Sequence, residues 1–346
     1  LFGGRRIGKS SALKAIDTRL QYREQQTVMH SFEGDLDCSD NASAMKIARM
    51  IPGLGKEVKN VDDFKMAMQS YLDADPQRRI TLLLDEVDRY ISANPRRHAL
   101  IEVIRALSDQ YSGRLRVVFA GFMGLYDCLK GRGPYSPTSD PWQRMRNALE
   151  PLSNLRPESA EAIVREGFLN ILGWRFEHRA IPQEIVQRTG GHPAFVQFFC
   201  KKLQERVAKK GDGLVTVADV TSVFEDDSPQ NSFISYVNDT LYMNLKEDPV
   251  GYYVVLWLAR DSSSASSFTL AQCRQWAQLC KTPIPDSELL RSLERLTVTG
   301  VVMERSSGVY EFSVRDYPSI LARLGQTDLL DNLEADIAKK LAGNVL

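Results

Sequence analysis

The sequence predicts an α/β fold in which a mainly parallel sheet lies between layers of helices, followed by a helical segment and a smaller unit that ends in a hairpin. Three observations support this prediction. A glycine-rich loop opens the chain and leads into a helix, short apolar runs then alternate with amphipathic stretches, and from residue 157 onward the pattern is largely helical. Strands that alternate with helices at this spacing are typical of a parallel three-layer sandwich.

The opening loop has the spacing G-x-x-x-x-G-K-[ST], the pattern of a phosphate-binding loop between a strand and a helix. Its glycines let backbone N–H groups converge on phosphates, and the helix N-terminus adds positive potential. Lys9 should reach the β- and γ-phosphates, and the Ser10 hydroxyl should ligate Mg²⁺. The alternative is a glycine-rich turn before an ordinary helix. The predicted nucleotide contacts are Gly3, Gly4, Arg5, Arg6, Ile7, Gly8, Lys9, Ser10 and Ser11.

Such a loop normally follows a buried strand. Only Leu1 and Phe2 precede the glycines here, whereas strands usually have about five or six residues. We therefore interpret the chain as a fragment whose first strand, with whatever preceded it, is largely missing.

A second signal is the apolar run of residues 79–84, which ends in Asp85 and Glu86. A run of this kind suits a strand that is buried on both sheet faces. An acid at its carboxyl end can hold the water shell of Mg²⁺, which assigns Asp85 as a metal-binding residue, and Glu86 can act as the catalytic general base. The alternative is a core strand that exits into an acidic loop. The position about 75 residues after the phosphate-binding loop favours the functional interpretation. Asp88, the third acid, we leave as a supporting or surface residue.

The other elements follow from periodicity. Helices are predicted over 10–21, 41–50, 61–72 and 97–111, and further strands over 27–32, 115–121 and 148–155. Residues 130–142, rich in Gly, Pro and Ser, predict a loop. Within the helical segment, Gly190 and Gly191 suit a turn, and Pro193 suits the first turn of the next helix.

In the last part of the chain, helices are predicted over 233–244, 250–260, 269–280 and 285–296, hairpin strands over 301–305 and 309–314, and a final helix over 328–341. Three helices followed directly by a hairpin make a winged helix-turn-helix. The predicted domains are a core over 1–156, a helical lid over 157–212, a winged helix-turn-helix over 213–325 and a C-terminal helix over 326–346.

The composition narrows the function classes. The formal net charge is zero, unlike that of a strongly basic nucleic-acid binder, and no apolar run approaches the roughly 20 residues of a membrane span. The five cysteines are odd in number and include no C-x-x-C, and the four histidines show no metal spacing. We expect a protein of the reducing cytosol with no membrane partner.

Together these motifs resemble the signal-transducing P-loop ATPases of the STAND class, which is similar to AAA+ and archaeal-type ATPases. The resemblance covers residues 1–325. It implies a P-loop NTPase core, ATP or ADP and Mg²⁺ as ligands, and a nucleotide state that switches the protein between closed and open, often oligomeric, forms. The motifs that carry it are the glycine-rich loop, Leu82-Leu83-Leu84-Asp85-Glu86, Gly121 after the fourth strand, and Gly190-Gly191-His192-Pro193.

The resemblance also implies roles for residues outside the first two motifs. Pro193 and His192 would lie near the adenine or the γ-phosphate, and the alternative for His192 is a helix cap. Arg144 or Arg146, before the fifth strand, would sense phosphate. One departure is that no polar side chain ends the fourth strand, where AAA+ relatives carry a sensor. This absence places efficient hydrolysis, but not binding, in doubt.

Three function hypotheses follow. The leading one is a regulatory ATPase switch that associates with itself or with a protein effector. The others are a DNA-acting ATPase of the origin-recognition or transposition type, and a nucleotide-binding scaffold that barely hydrolyses. The candidate DNA-reading helix over 285–297 carries three acids against Arg291 and Arg295, and the hairpin tip over 306–308 is uncharged. These charges disfavour contact with DNA phosphates and favour a protein contact.

Overall fold

The computed structural model describes residues 1–54, 58–136, 140–143, 145, 151–226, 232–261, 267–322 and 326–343. The chain divides into two compact units. The first comprises Leu1–Gly3 and Gly8–Leu152, and the second comprises Gly4–Ile7 and Ser153–Leu346. The middle of the glycine-rich loop is thus counted with the second unit.

The first unit is built on parallel strands. Its strands are β1 (Phe2–Gly3), β2 (Gln26–Ser31), β3 (Ile80–Asp85), β4 (Leu115–Phe119) and β5 (Pro151–Leu152). β3 pairs with β2 on one side and β4 on the other, and β1 pairs with β5, all in parallel. A parallel bridge from Phe2 to Gly121, just beyond β4, joins the two sets. The strand order is therefore β2-β3-β4-β1-β5.

In the described part of the first unit, six helices connect these strands. They are α1 (Lys9–Gln21), α2 (Asp40–Met50), α3 (Val61–Asp73), α4 (Val87–Ala93), α5 (Ala99–Gln110) and α6 (Met123–Leu129). All six residues of β3 are buried, as expected for a strand covered on both faces. The predicted parallel α/β core is confirmed.

Several boundaries differ from the prediction. A first strand exists, although it has only two residues, and β4 ends at Phe119 rather than at Gly121. The predicted last strand over 148–155 is reduced to Pro151–Leu152 among the described residues, since 148–150 lie outside them. The seven-residue helices α4 and α6 were not predicted, because two turns give little periodicity to detect.

The second unit is mainly helical. Its helices are α7 (Pro157–Arg165), which continues as a π-helical segment (Glu166–Ile171), α8 (Ile181–Thr189), α9 (Pro193–Lys210), α10 (Val217–Glu225), α11 (Phe233–Leu245), α12 (Pro249–Asp261), α13 (Leu270–Leu279), α14 (Asp286–Val298), α15 (Tyr317–Ala322) and α16 (Gln326–Gly343). Its core includes the fully buried rings of Phe195, Phe199 and Phe233.

The described residues of the second unit also form two small sheets. β6 (Arg175–Phe176) pairs in parallel with β7 (Leu214–Val215). β8 (Ser267–Thr269), β9 (Val302–Ser306) and β10 (Val309–Phe312) form an antiparallel sheet in the order β8-β10-β9. The predicted hairpin corresponds to β9 and β10, whereas β6, β7 and β8 were not predicted. No helix in the described part of the chain is both long and apolar enough to cross a membrane.

Candidate nucleotide-binding site

Lys9 is the first residue of α1, and its side chain is buried. Its Nζ donates a hydrogen bond to the carbonyl oxygen of Gly3 at 3.2 Å and lies 5.8 Å from the centre of the Phe122 ring. Gly8, at the helix cap, has a φ of 99°. Ser10 and Ser11 are exposed on the first turn of the helix. The ammonium is therefore folded back toward its own loop, and the first helical turn is open to solvent.

The two acids predicted to act with the loop lie at the end of β3. Asp85 is buried, and its Oδ1 accepts the backbone N–H of Glu86 at 2.9 Å. Glu86 is half-buried at the cap position of α4, with φ 53° and ψ 42°. A residue with a side chain is strained in this left-handed conformation by about 1–3 kcal/mol, and such strain is concentrated at functional sites.

The middle of the loop contacts one face of α11 within the second unit. The backbone N–H of Arg5 donates to Asn244 Oδ1 at 2.7 Å. The Arg6 guanidinium donates to Thr240 Oγ1 at 2.8 Å and lies 4.4 Å from the centre of the Tyr236 ring. Since these three α11 residues are four positions apart, they share one helix face. Periodicity alone does not single out this stripe.

The two glycines before His192 are required by backbone geometry. Gly190 and Gly191 have φ values of 58° and 66°. A Cβ on Gly190 would lie 2.3 Å from the carbonyl oxygen of Ser313, and one on Gly191 would lie 2.6 Å from that of Leu155. A side chain at either position would be strained and would collide with backbone atoms. At the predicted turn, the backbone of the two glycines therefore packs closely against the backbone at Leu155 and Ser313.

His192 occupies the cap position of α9, but its side chain makes no cap hydrogen bond. The ring is 1% exposed and stacks on Phe195, with ring centres 4.1 Å apart. Burial lowers the pKa of His192 to about 4, against the raising effect of a hydrogen bond with the Arg5 backbone. His192 is therefore neutral at pH 7 and offers no positive charge to a phosphate. Pro193 begins α9 and is half-buried.

The side chains of Asp85, at the end of β3, and Ser10, in the first turn of α1, fit the chemistry of magnesium. Both carry oxygen atoms of the kind that this ion prefers, and Mg²⁺ is usually completed by substrate phosphates and water rather than by an all-protein cage. The described residues include no cluster of three His, Cys, Asp or Glu side chains that could hold a metal alone. The predicted phosphate sensors Arg144 and Arg146 lie outside the described residues.

Sequence reasoning did not predict a role for Phe122, and it left Asp88 open as a supporting or surface residue. Phe122, which follows β4, contacts Lys9 through its ring, and Asp88 binds the backbone that carries Phe122. The spacing of Asp88 from Asp85 was visible in the sequence, but its partner lies 34 positions further along the chain.

Comparisons with known proteins identify the fold. No family model matches the chain, and no curated protein matches it. Among solved structures, the Walker-type ATPase PABY2304 of Pyrococcus abyssi is 14% identical with a TM-score of 0.59, over 93% of this chain and 89% of that one. The ORC2 protein of Aeropyrum pernix, in its ADPNP–ADP complexes, is 12% identical with a TM-score of 0.62, over 97% and 88%. The chain therefore has an α/β fold of the P-loop ATPase type.

Proposed function

We propose that the protein binds and hydrolyses ATP and acts as a regulatory switch whose nucleotide state controls its conformation or assembly. The observation that carries the proposal is a shared sheet edge. β1, β4 and β3 are adjacent and parallel, so their carboxyl ends lie at the same edge of the sheet. The loop to Lys9 follows β1, Phe122 follows β4, and Asp85 and Glu86 stand at the end of β3. Ligands of open α/β sheets bind at this edge.

In this proposal, each site residue has a role in nucleotide binding or hydrolysis that follows from its side-chain chemistry. Lys9 would exchange its bond with Gly3 for the β- and γ-phosphates, which offer it a far stronger electrostatic partner. Ser10 and Asp85 would hold Mg²⁺, which neutralises phosphate charge when bound. Glu86 would orient and deprotonate the attacking water. In the second unit, Pro193 and His192 would lie near the bound nucleotide, with His192 acting as a neutral group.

The contacts of Arg5 and Arg6 with α11 support the switch. The face of α11 formed by Tyr236, Thr240 and Asn244 holds the middle of the phosphate-binding loop by two hydrogen bonds and a cation–π contact. A loop that adjusts to a triphosphate would change these contacts, and a ligand shifts a conformational equilibrium only through such differential contacts. In the proposed switch, α11 would be the element that responds to the state of the loop.

A DNA-acting ATPase is the second candidate. It is favoured by the element order α12, β8, α13, α14, β9 and β10, which suits a winged helix-turn-helix, and by the fold shared with the ORC2 protein. The charges oppose it, because exposed arginines of this region form ion pairs. Arg274 forms a bidentate ion pair with Asp286, and Arg305 forms an ion pair with Glu311 at 2.5 Å. Cations that are neutralised by neighbouring acids release few counterions from DNA, so we favour a protein contact.

Scattering in two nucleotide states tests the switch. With saturating Mg²⁺, exchange of ADP for a non-hydrolysable ATP analogue should change the radius of gyration or the oligomeric state. Asn244→Ala should alter that transition, whereas Tyr242→Ala, an exposed position on the same helix, should not. Identical scattering in both states, with both nucleotides bound, would contradict the switch and leave a nucleotide-binding scaffold.

A further inference from the structure

The carboxylate of Asp88 caps a segment far along the chain. Asp88 lies in the first turn of α4, three residues beyond Asp85. Its Oδ1 accepts the backbone N–H groups of Gly124 at 2.6 Å and Leu125 at 3.1 Å, and its Oδ2 accepts the N–H of Phe122. These donors belong to the start of α6, where helical N–H groups have no partner within the helix.

The fit around this carboxylate is close on two sides. A Cβ on Gly121 would lie 2.5 Å from Asp88 Oδ2, and a Cβ on Gly124 would lie 2.9 Å from Asp88 Oδ1. At Gly124 the three nearest heavy atoms to that Cβ outside the helix backbone all belong to Asp88. The absence of side chains at these two positions is what lets the acid reach the backbone of the segment.

The segment held by Asp88, residues 121–125, contacts the phosphate-binding machinery directly. The backbone N–H of Gly121 donates to the carbonyl oxygen of Leu1 at 3.1 Å, and Gly121 bridges to Phe2 of β1. The next residue, Phe122, places its ring 5.8 Å from the Lys9 ammonium. One carboxylate thus fixes the backbone that borders both β1 and Lys9.

We propose that Asp88 is a positioning residue of the nucleotide site, which fixes residues 121–125 so that Phe122 confines the Lys9 ammonium. The inference rests on the proposed function and names a residue that this function did not include. Three charge-assisted hydrogen bonds make the segment rigid at a strand end that carries no polar side chain. Positioning of this kind acts on the chemical step, because small displacements of a phosphate-binding cation reduce its stabilisation of the transition state.

Asp88→Asn tests the positioning role. The amide keeps the shape of the side chain but turns an NH₂ group toward one of the backbone donors. Amide exchange at Phe122, Gly124 and Leu125, measured without nucleotide, should accelerate about tenfold or more. The kcat for ATP should fall about tenfold while KM stays within about threefold. Asp62→Asn, which removes an exposed first-turn acid from α3, should change neither quantity.

The possible outcomes separate the two proposals. If the wild type binds no ATP, the proposed function fails, and this inference fails with it. If the wild type turns over ATP and Asp88→Asn loses amide protection at full kcat, only the positioning role is overturned. Unchanged amide exchange in Asp88→Asn would overturn the hydrogen-bonded arrangement itself.

Gly124→Ala provides a second test that does not depend on activity. When Asp88 is present, the methyl group of Ala at position 124 would collide with the Asp88 carboxylate. The carboxylate could move away only by breaking its hydrogen bonds to the backbone, so Tm should fall by about 2 °C or more. In an Asp88→Ala background the same change should raise Tm, because alanine is the better helix former. An equal effect of Gly124→Ala in both backgrounds would show that the carboxylate is not held and would overturn the proposal.

Discussion

The backbone N–H of Glu86 donates to the carboxylate of Asp85, its immediate neighbour, at 2.9 Å. At the same position, directly after β3, Glu86 adopts the left-handed conformation, with φ 53°. The two acids have different environments, since Asp85 is buried while Glu86 is half-buried. The separation matches the roles proposed for them, a metal-binding carboxylate beside a water-activating one.

Glu86→Gln should slow ATP turnover by about 100-fold or more and leave ATP binding near the wild-type value. Glutamine preserves the shape and most hydrogen bonding of the side chain but has no basicity, so only the proton transfer is lost. Steady-state turnover and equilibrium binding measured on the same preparations check this. Full turnover in Glu86→Gln would exclude Glu86 as the base, and no turnover in the wild type would favour the scaffold hypothesis.

At position 86 glycine should be more stable than alanine, by about 1 kcal/mol, although alanine is normally the more stabilising of the two. The reason is the left-handed backbone, which disfavours every residue with a Cβ by roughly 1–2 kcal/mol. Chemical denaturation of Glu86→Gly and Glu86→Ala provides the comparison. A more stable alanine variant would contradict the strain at this site.

The stability of the protein should fall as the pH drops from 6.5 to 4. Burial lowers the pKa of His192 to about 4, so between pH 6.5 and 4 the imidazole is protonated in the unfolded chain but stays neutral in the folded chain. The resulting loss in the free energy of unfolding is about 3 kcal/mol near pH 4, and it is absent above pH 6.5. Burial also lowers the pKa of His30 and His98, which adds to the loss in the same direction.

Denaturation of His192→Gln at pH 7.5 and pH 5 measures this contribution. The variant should lose less stability between the two values than the wild type, whereas His178→Gln, at an exposed position, should follow the wild type. An identical loss in His192→Gln and the wild type would contradict the burial of a neutral imidazole.

Duplex DNA should not bind specifically at physiological salt. A DNA interface that neutralises phosphates loses affinity by about one log unit per log unit of salt for each phosphate. The arginines near α14 form ion pairs with neighbouring acids, for example Arg291 with Glu288 at 3.8 Å, which leaves less positive charge for phosphates. Fluorescence anisotropy with random and genomic duplexes checks this. Salt-sensitive nanomolar binding that Arg291→Glu and Arg295→Glu abolish would favour the DNA-acting ATPase.

The parts of the fold that local signals encode could be predicted. The run of leucines before Asp85 and the glycine spacing before Lys9 each specify an element and its end within a few residues, so the sheet and the loop were expected in the right places. β1, β5 and β6 have two residues each, and such short strands have no periodicity. They arise from tertiary pairing that the sequence does not display.

The missed parts of the site are also long-range. The bond from Phe122 to Asp88 joins residues 34 positions apart, and that from Arg5 to Asn244 joins residues 239 apart. Neither pairing leaves a local pattern. The low pKa of His192 results mainly from burial, which also has no local pattern in the sequence.

Calorimetric titration with Mg²⁺ and ATP of the wild type, Lys9→Ala and Lys14→Ala tests the central claim most directly. Lys14 is exposed on α1, so its loss controls for a change of charge on the same helix. ATP should bind the wild type and Lys14→Ala equally, and Lys9→Ala at least tenfold more weakly, about 1.4 kcal/mol. Equal affinity of the wild type and a folded Lys9→Ala variant would contradict the assignment of a phosphate-binding loop.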